Sequence, residues 1–174
     1  MHFPLATAVL AACVAAKFNV PSAACDEDNR KICYGKDGGV SQDLTLDDVQ
    51  YVADHLRYLA QTGQQLFFNM PKSDTCGEWA LPVPRSGSVL ALAKHIAPRV
   101  NSTVLLEDLA RAVDGGENAK EEQRAKALIG CGKNGGQVAV TPSGKDARYE
   151  SDWYKASGAE PRGIIIKLVK APSS

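Results

Sequence analysis

The sequence predicts an α+β domain in which an antiparallel sheet is covered mainly on one face by about three helices and stapled by two disulfides. Short β-favouring runs set between glycines and prolines alternate with longer stretches whose apolar residues recur at helical spacing. Cys25, Cys33, Cys76 and Cys131 follow an N-terminal apolar stretch of leader type, which places them in an oxidising compartment as a disulfide framework.

That stretch, "MHFPLATAVLAACVAA", is apolar from Phe3 to Ala16. It is shorter than the roughly 20 residues a membrane span needs and sits where a signal h-region sits. It is therefore read as a signal peptide over residues 1–16, cut after the small residues Val14 and Ala16; Ser22 and Ala24 offer a second site just before Cys25. No Lys or Arg precedes the run, and Leu10-Ala11-Ala12-Cys13 also fits a bacterial lipoprotein box, with Cys13 acylated; a retained core helix is the third reading. The remaining 25–174 make a single secreted domain of about 150 residues, long enough for one core. Its four cysteines allow three pairings, all open at this stage, and none has the CxxC spacing of a zinc site.

Thr45 starts the first helix as N-cap, with Asp48 three residues on, Leu44 and Val49 as a hydrophobic staple, and Gly63 as the stop. Val49, Val52, Ala53, Leu56, Leu59 and Ala60 form its core stripe, and Tyr51, His55 and Tyr58 flank it. "QQLFFNM" and "EWALPV" read as strands, while "SVLALAKHI", too short for periodicity to decide, leans to helix. A second helix is expected from a cap at Ser102 or Thr103, through Val104, Leu105, Leu109, Ala112 and Val113, to Gly115-Gly116. "AKEEQRAKALI" makes a third, stopped at Gly130. "QVAV" and "GIIIKLV" read as closing strands, and Thr141 to Pro161 as a long polar loop carrying Tyr149, Trp153 and Tyr154, candidate binding aromatics or pins onto the core.

Lys plus Arg and Asp plus Glu number 20 each, so no global field steers the chain to nucleic acid or to an anionic membrane. The balance shifts along the chain, with 14 acidic and 9 basic residues over 25–119 and 6 and 10 over 120–174. The mature chain has two histidines, His55 and His95, and lacks the nucleophile-elbow, HExxH, EF-hand, phosphate-loop and dinucleotide motifs, which favours binding over catalysis. Neither a cofactor nor a metal is expected. Asn101-Ser102-Thr103 is an N-glycosylation sequon, meaningful in a secreted chain.

The leader, the four-cysteine domain, the sequon and the Gly-punctuated layout together resemble the small secreted cysteine-stapled proteins of filamentous fungi, many of them effectors and elicitors. A more local likeness joins "ACDEDNRKICYG", a helix and "EWALPVPRSG": these are similar to the opening and central strand of secreted guanyl-specific fungal ribonucleases. That likeness implies Glu78 as general base and Arg99 as the phosphate-stabilising arginine. The family's C-terminal His-Thr-Gly strand has no counterpart here, so His95 would have to serve as general acid. Fungal effectors on ribonuclease-like scaffolds that have lost catalysis are the family-level precedent. A layout similar to killer-toxin-like secreted proteins is a further alternative.

The expectation is thus a monomeric, non-catalytic interaction protein of effector or elicitor type, acting outside the producing fungal cell on an extracellular host or competitor protein. A weak or lost guanyl-specific ribonuclease with Glu78, Arg99 and His95 is the enzyme-class alternative.

Overall fold

The computed structural model describes residues 25, 27 and 29–172. The expected signal peptide and Cys13 lie outside the described residues. In chain order the elements are β1 (Ile32–Cys33), α1 (Leu46–Gln61), β2 (Phe67–Met70), β3 (Glu78–Ala80), β4 (Val89–His95), β5 (Ser102–Leu105), α2 (Leu106–Asp114), α3 (Glu121–Lys126), a 3-10 segment (Leu128–Asn134), β6 (Gly136–Ala139), a 3-10 turn (Ala147–Glu150), α4 (Asp152–Ala156) and β7 (Ile164–Lys170). Five strands form an antiparallel sheet in the order β1-β6-β7-β4-β3, and β2 pairs with β5 in a separate two-stranded ribbon.

Helix α1 forms where its apolar spacing requires. Val49, Val52, Ala53, Leu56 and Leu59 are buried along one stripe, and they join Ala91, Ala93, Ile164, Ile166 and Leu168 of the sheet and Leu109, Ala110 and Val113 of α2 in one core. Each fully buried Leu or Ile of this set contributes about 1.5–3 kcal/mol. Thr45 precedes α1 in extended conformation but makes no side-chain cap. Asp48 instead accepts from the Ser88 amide and hydroxyl, both at 2.7 Å, which tie the helix start to the sheet and hold this carboxyl below the usual range. Gly115 ends α2 with φ 92°, and a Cβ there would meet the Gln123 backbone at 2.9 Å, so only glycine fits.

Three elements differ from the sequence expectation. Segment 88–96 is not a helix but the strand β4, with Val89, Ala91, Ala93 and His95 buried and the residues between them half-buried. Ala, Leu and Lys favour helix locally, but β4 lies between β3 and β7, and two ladders of hydrogen bonds outweigh that preference. Ser102 and Thr103 do not cap a helix: they belong to β5, which pairs with β2, and α2 starts at Leu106. The first free amides of α2 go to the Tyr149 hydroxyl (Leu105 N, 2.8 Å) and the Leu66 carbonyl (Leu106 N, 3.0 Å). The third helix is shorter than expected, and the chain runs on past Gly130 as the 3-10 segment.

The span from Thr141 to Pro161 is likewise not structureless, since it folds into the 3-10 turn and α4. Disulfides join Cys25 to Cys76 and Cys33 to Cys131, bridging separations of 51 and 98 residues. These bridges are the mark of an oxidising compartment. Among the described residues no helix is long and apolar enough to cross a membrane.

Candidate functional site

Strand alternation sends every second residue of the sheet to the face away from α1 and α2. On that outer face Glu78 of β3 stands opposite Lys94 of β4, and Lys167 of β7 stands opposite Leu92 on one side and Gln137 on the other. Lys167 Nζ reaches diagonally to Glu78 Oε2 at 2.8 Å. The Tyr34 hydroxyl donates to Gln137 Oε1 at 3.0 Å at the β6 side.

Cys25, Glu27 and Asn29 form a strap over this face. Lys94 Nζ and Lys167 Nζ both donate to Glu27 Oε1, at 2.6 and 3.1 Å. The Ala139 amide donates to the Asn29 carbonyl at 3.2 Å, and the Cys25–Cys76 bridge anchors the strap's start beside β3. Beneath the cluster Ile165 is fully buried although it points to the outer side, in register with Lys94 and Ala139. Burial raises the Glu27 carboxyl, but the two lysine bonds outweigh it and hold the group below its ordinary range. Burial likewise opposes charge on Lys167, and its bonds to Glu78 and Glu27 reverse that. The face is therefore a charge-balanced cluster of two lysines and two glutamates.

The residues singled out by the ribonuclease likeness do not converge. Glu78 lies on the outer face. His95 directly follows Lys94 in β4, and its amide donates to Gly77 O at 2.8 Å, so its side chain turns to the helix-covered side. There it is 2 % exposed, with Nε2 2.9 Å from the Ser102 hydroxyl. Burial holds its pKa below the ordinary 6.5 despite bonds to the Ala97 and Val100 backbone. Arg99 is exposed in the turn after β4.

The three aromatics of the 141–161 span divide. Tyr149 and Tyr154 are buried around Phe67, with ring centroids 6.0 and 5.3 Å away, whereas Trp153 stacks on Phe67 at 5.3 Å and remains 62 % exposed. Tyr149 donates to Asp108 Oδ2 at 2.5 Å, and burial, reinforced by that carboxylate, pushes its phenol far up. Tyr154 donates to Thr103 O at 2.8 Å. Both tyrosines thus pin their span to the ribbon and to α2, while Trp153 presents a ring to solvent. Tyr51, His55 and Tyr58 line up along α1, with ring separations of 5.7 and 6.2 Å, and both tyrosines are exposed.

Asn101 is half-buried ahead of β5, its amide donating to Ser157 O at 3.3 Å, and Thr103 of the same sequon is buried with its hydroxyl on Asn69. Among the described residues no group of three His, Cys, Asp or Glu could hold a metal ion.

Sequence reasoning missed Glu27, Lys94 and Lys167. The available signal was a lysine interrupting each of two apolar runs, "ALAKH" and "GIIIKLV". It also missed the buried pair of α1 and α2, where Arg57, 5 % exposed, bonds Asp114 at 3.1 Å and Glu107 at 3.2 Å. No known protein family, curated protein or solved structure matches the chain.

Proposed function

We propose that the protein works outside the cell that makes it, as a non-catalytic interaction protein of the effector or elicitor type that engages an extracellular host or competitor protein. The observation that carries this reading is the separation of Glu78 from His95. General acid–base cleavage of RNA needs the base and the acid on one substrate, each within hydrogen-bond reach of its proton. Glu78 is instead engaged by Lys167 on the outer face, and His95 is enclosed on the opposite side of the same sheet. The two disulfides support the compartment, because they persist where thiols are not kept reduced.

The test compares the folded, oxidised protein with its Glu78→Gln variant on single-stranded RNA, and uses the oxidised and reduced proteins as bait in extracellular host fluid. The expected result is no Glu78-dependent cleavage and a partner retained by the folded protein but not by the chain unfolded through reduction of both bridges. Cleavage after guanosine that drops about 10²-fold in Glu78→Gln would reinstate the enzyme.

A further inference from the structure

The outer face of the sheet carries a ligand of its own making. Both lysines spend a donor on one oxygen, Glu27 Oε1, and the other oxygen, Oε2, is buried with no hydrogen-bond partner among the described residues. An unsatisfied buried acceptor is destabilising. Glu27 therefore satisfies Lys94 and Lys167 better than it satisfies itself, and a carboxylate that reaches the lysines with its second oxygen solvated would replace it at a gain.

We propose that this face is a docking site for an extended acidic segment of a partner protein, kept closed by Glu27, which sits between the Cys25–Cys76 bridge and the Asn29–Ala139 hydrogen bond and acts as an internal mimic of that segment. The proposal rests on the interaction reading above and names its surface. Charge selects the occupant: with Glu27 withdrawn, two lysines face the single carboxylate of Glu78, leaving one net positive charge. A single carboxylate restores neutrality, whereas a phosphate dianion overshoots it. Backbone geometry selects an extended chain, because the Asn29 carbonyl takes the Ala139 amide and so continues β1 along β6. Asn29 and Ala139 also line a groove of about 640 Å³ with Ile96, Thr141 and Pro161, into which a longer segment can continue.

Release has a chemical handle. Cys25 and Cys76 are half-buried, whereas Cys33 and Cys131 are 6 % and 0 % exposed. An external dithiol therefore meets the strap's bridge first. One thiolate attacks a sulfur of the Cys25–Cys76 bond and the second thiol resolves the mixed disulfide. Two electrons pass to the protein, Cys25 and Cys76 become thiols, and the reductant leaves as its own disulfide.

The experiment measures binding of a fluorescent peptide of alternating Glu and Val to wild type, Cys25→Ser/Cys76→Ser and Glu27→Gln, with an alternating Lys and Val peptide and inorganic phosphate as controls. Circular dichroism checks folding, and Glu27→Gln, which keeps both bridges, serves if loss of the bridge unfolds the chain. Either opened variant is expected to bind the acidic peptide at least about tenfold more tightly than wild type, a difference of about 1.4 kcal/mol. Adding Lys94→Gln and Lys167→Gln is expected to abolish the gain. Equal binding by wild type and opened variants, binding indifferent to the lysines, or phosphate competing as well as the peptide overturns the docking site. The RNA assay decides the interaction reading separately, so the two failures are distinguishable.

Discussion

Replacing Arg57 by Met tests the contact that joins α1 to α2. Met keeps the apolar stem and removes the guanidinium, leaving Asp114, whose side chain is 2 % exposed, without its cation. Stranding one partner of a buried ion pair costs about 3–5 kcal/mol. Asp114 would still accept from Gln50 Nε2 at 3.1 Å and from the Gly116 amide at 2.8 Å, so the lower end, about 3 kcal/mol, applies. For a domain of this size that corresponds to a fall in Tm of about 6–12 °C. Urea unfolding followed by circular dichroism reads the free energy, and the calorimetric Tm checks it. Adding Asp114→Asn to the Arg57→Met background removes the stranded charge and is expected to recover most of the loss. A cost below about 1 kcal/mol, the value of an exposed pair, would refute the assignment, as would a double variant no more stable than the single one.

His95 sets an acid limit on stability. Its folded pKa lies below the ordinary 6.5, so as pH falls under 6.5 the unfolded chain binds the proton that the folded chain refuses, and stability drops until the folded pKa is passed. Urea midpoints from pH 7.5 down to 5 are expected to fall, and the slope to flatten in a folded His95→Gln variant; an unchanged slope contradicts the burial. Tyr149→Phe leaves the Leu105 amide without its acceptor and takes one donor from Asp108, which keeps Arg111 and the Ser143 amide. The expected loss is about 1–3 kcal/mol in urea unfolding, and a neutral substitution would mean the hydroxyl is not holding the start of α2.

What the sequence made legible follows from the range of the forces involved. Helix α1 was readable because its stripe, its acidic first turn and Gly63 are all local. β7 was readable because "GIIIKLV" is rich in β-branched residues and bounded by prolines. β4 was misread because "VLALAKH" carries helix-forming residues, and only its two neighbours in the sheet, β3 and the distant β7, make it a strand. β5 was misread for a related reason: Val104 and Leu105 continue the apolar spacing of α2, and nothing local reveals that β2, more than 30 residues earlier, takes them as partners. The lysine cluster could not be seen at all without register, since Glu27, Glu78, Lys94 and Lys167 lie far apart in the chain and meet only when three strands align.

The position of β7 ties the whole protein to the order in which it is synthesised. β7 is the last strand of the described residues to leave the ribosome, yet it is the middle of the five-stranded sheet, holding β6 on one edge and β4 on the other. Until Ile164–Lys170 emerge, β1–β6 and β3–β4 are two separate pairs with exposed edges, and two-stranded pairs are marginal alone. Before Ile164–Lys170 are made, β6 and β4 each lack the partner that joins them in one sheet. The two halves of the sheet then join through one strand, so β7 is the element that turns separate pairs into a single five-stranded sheet.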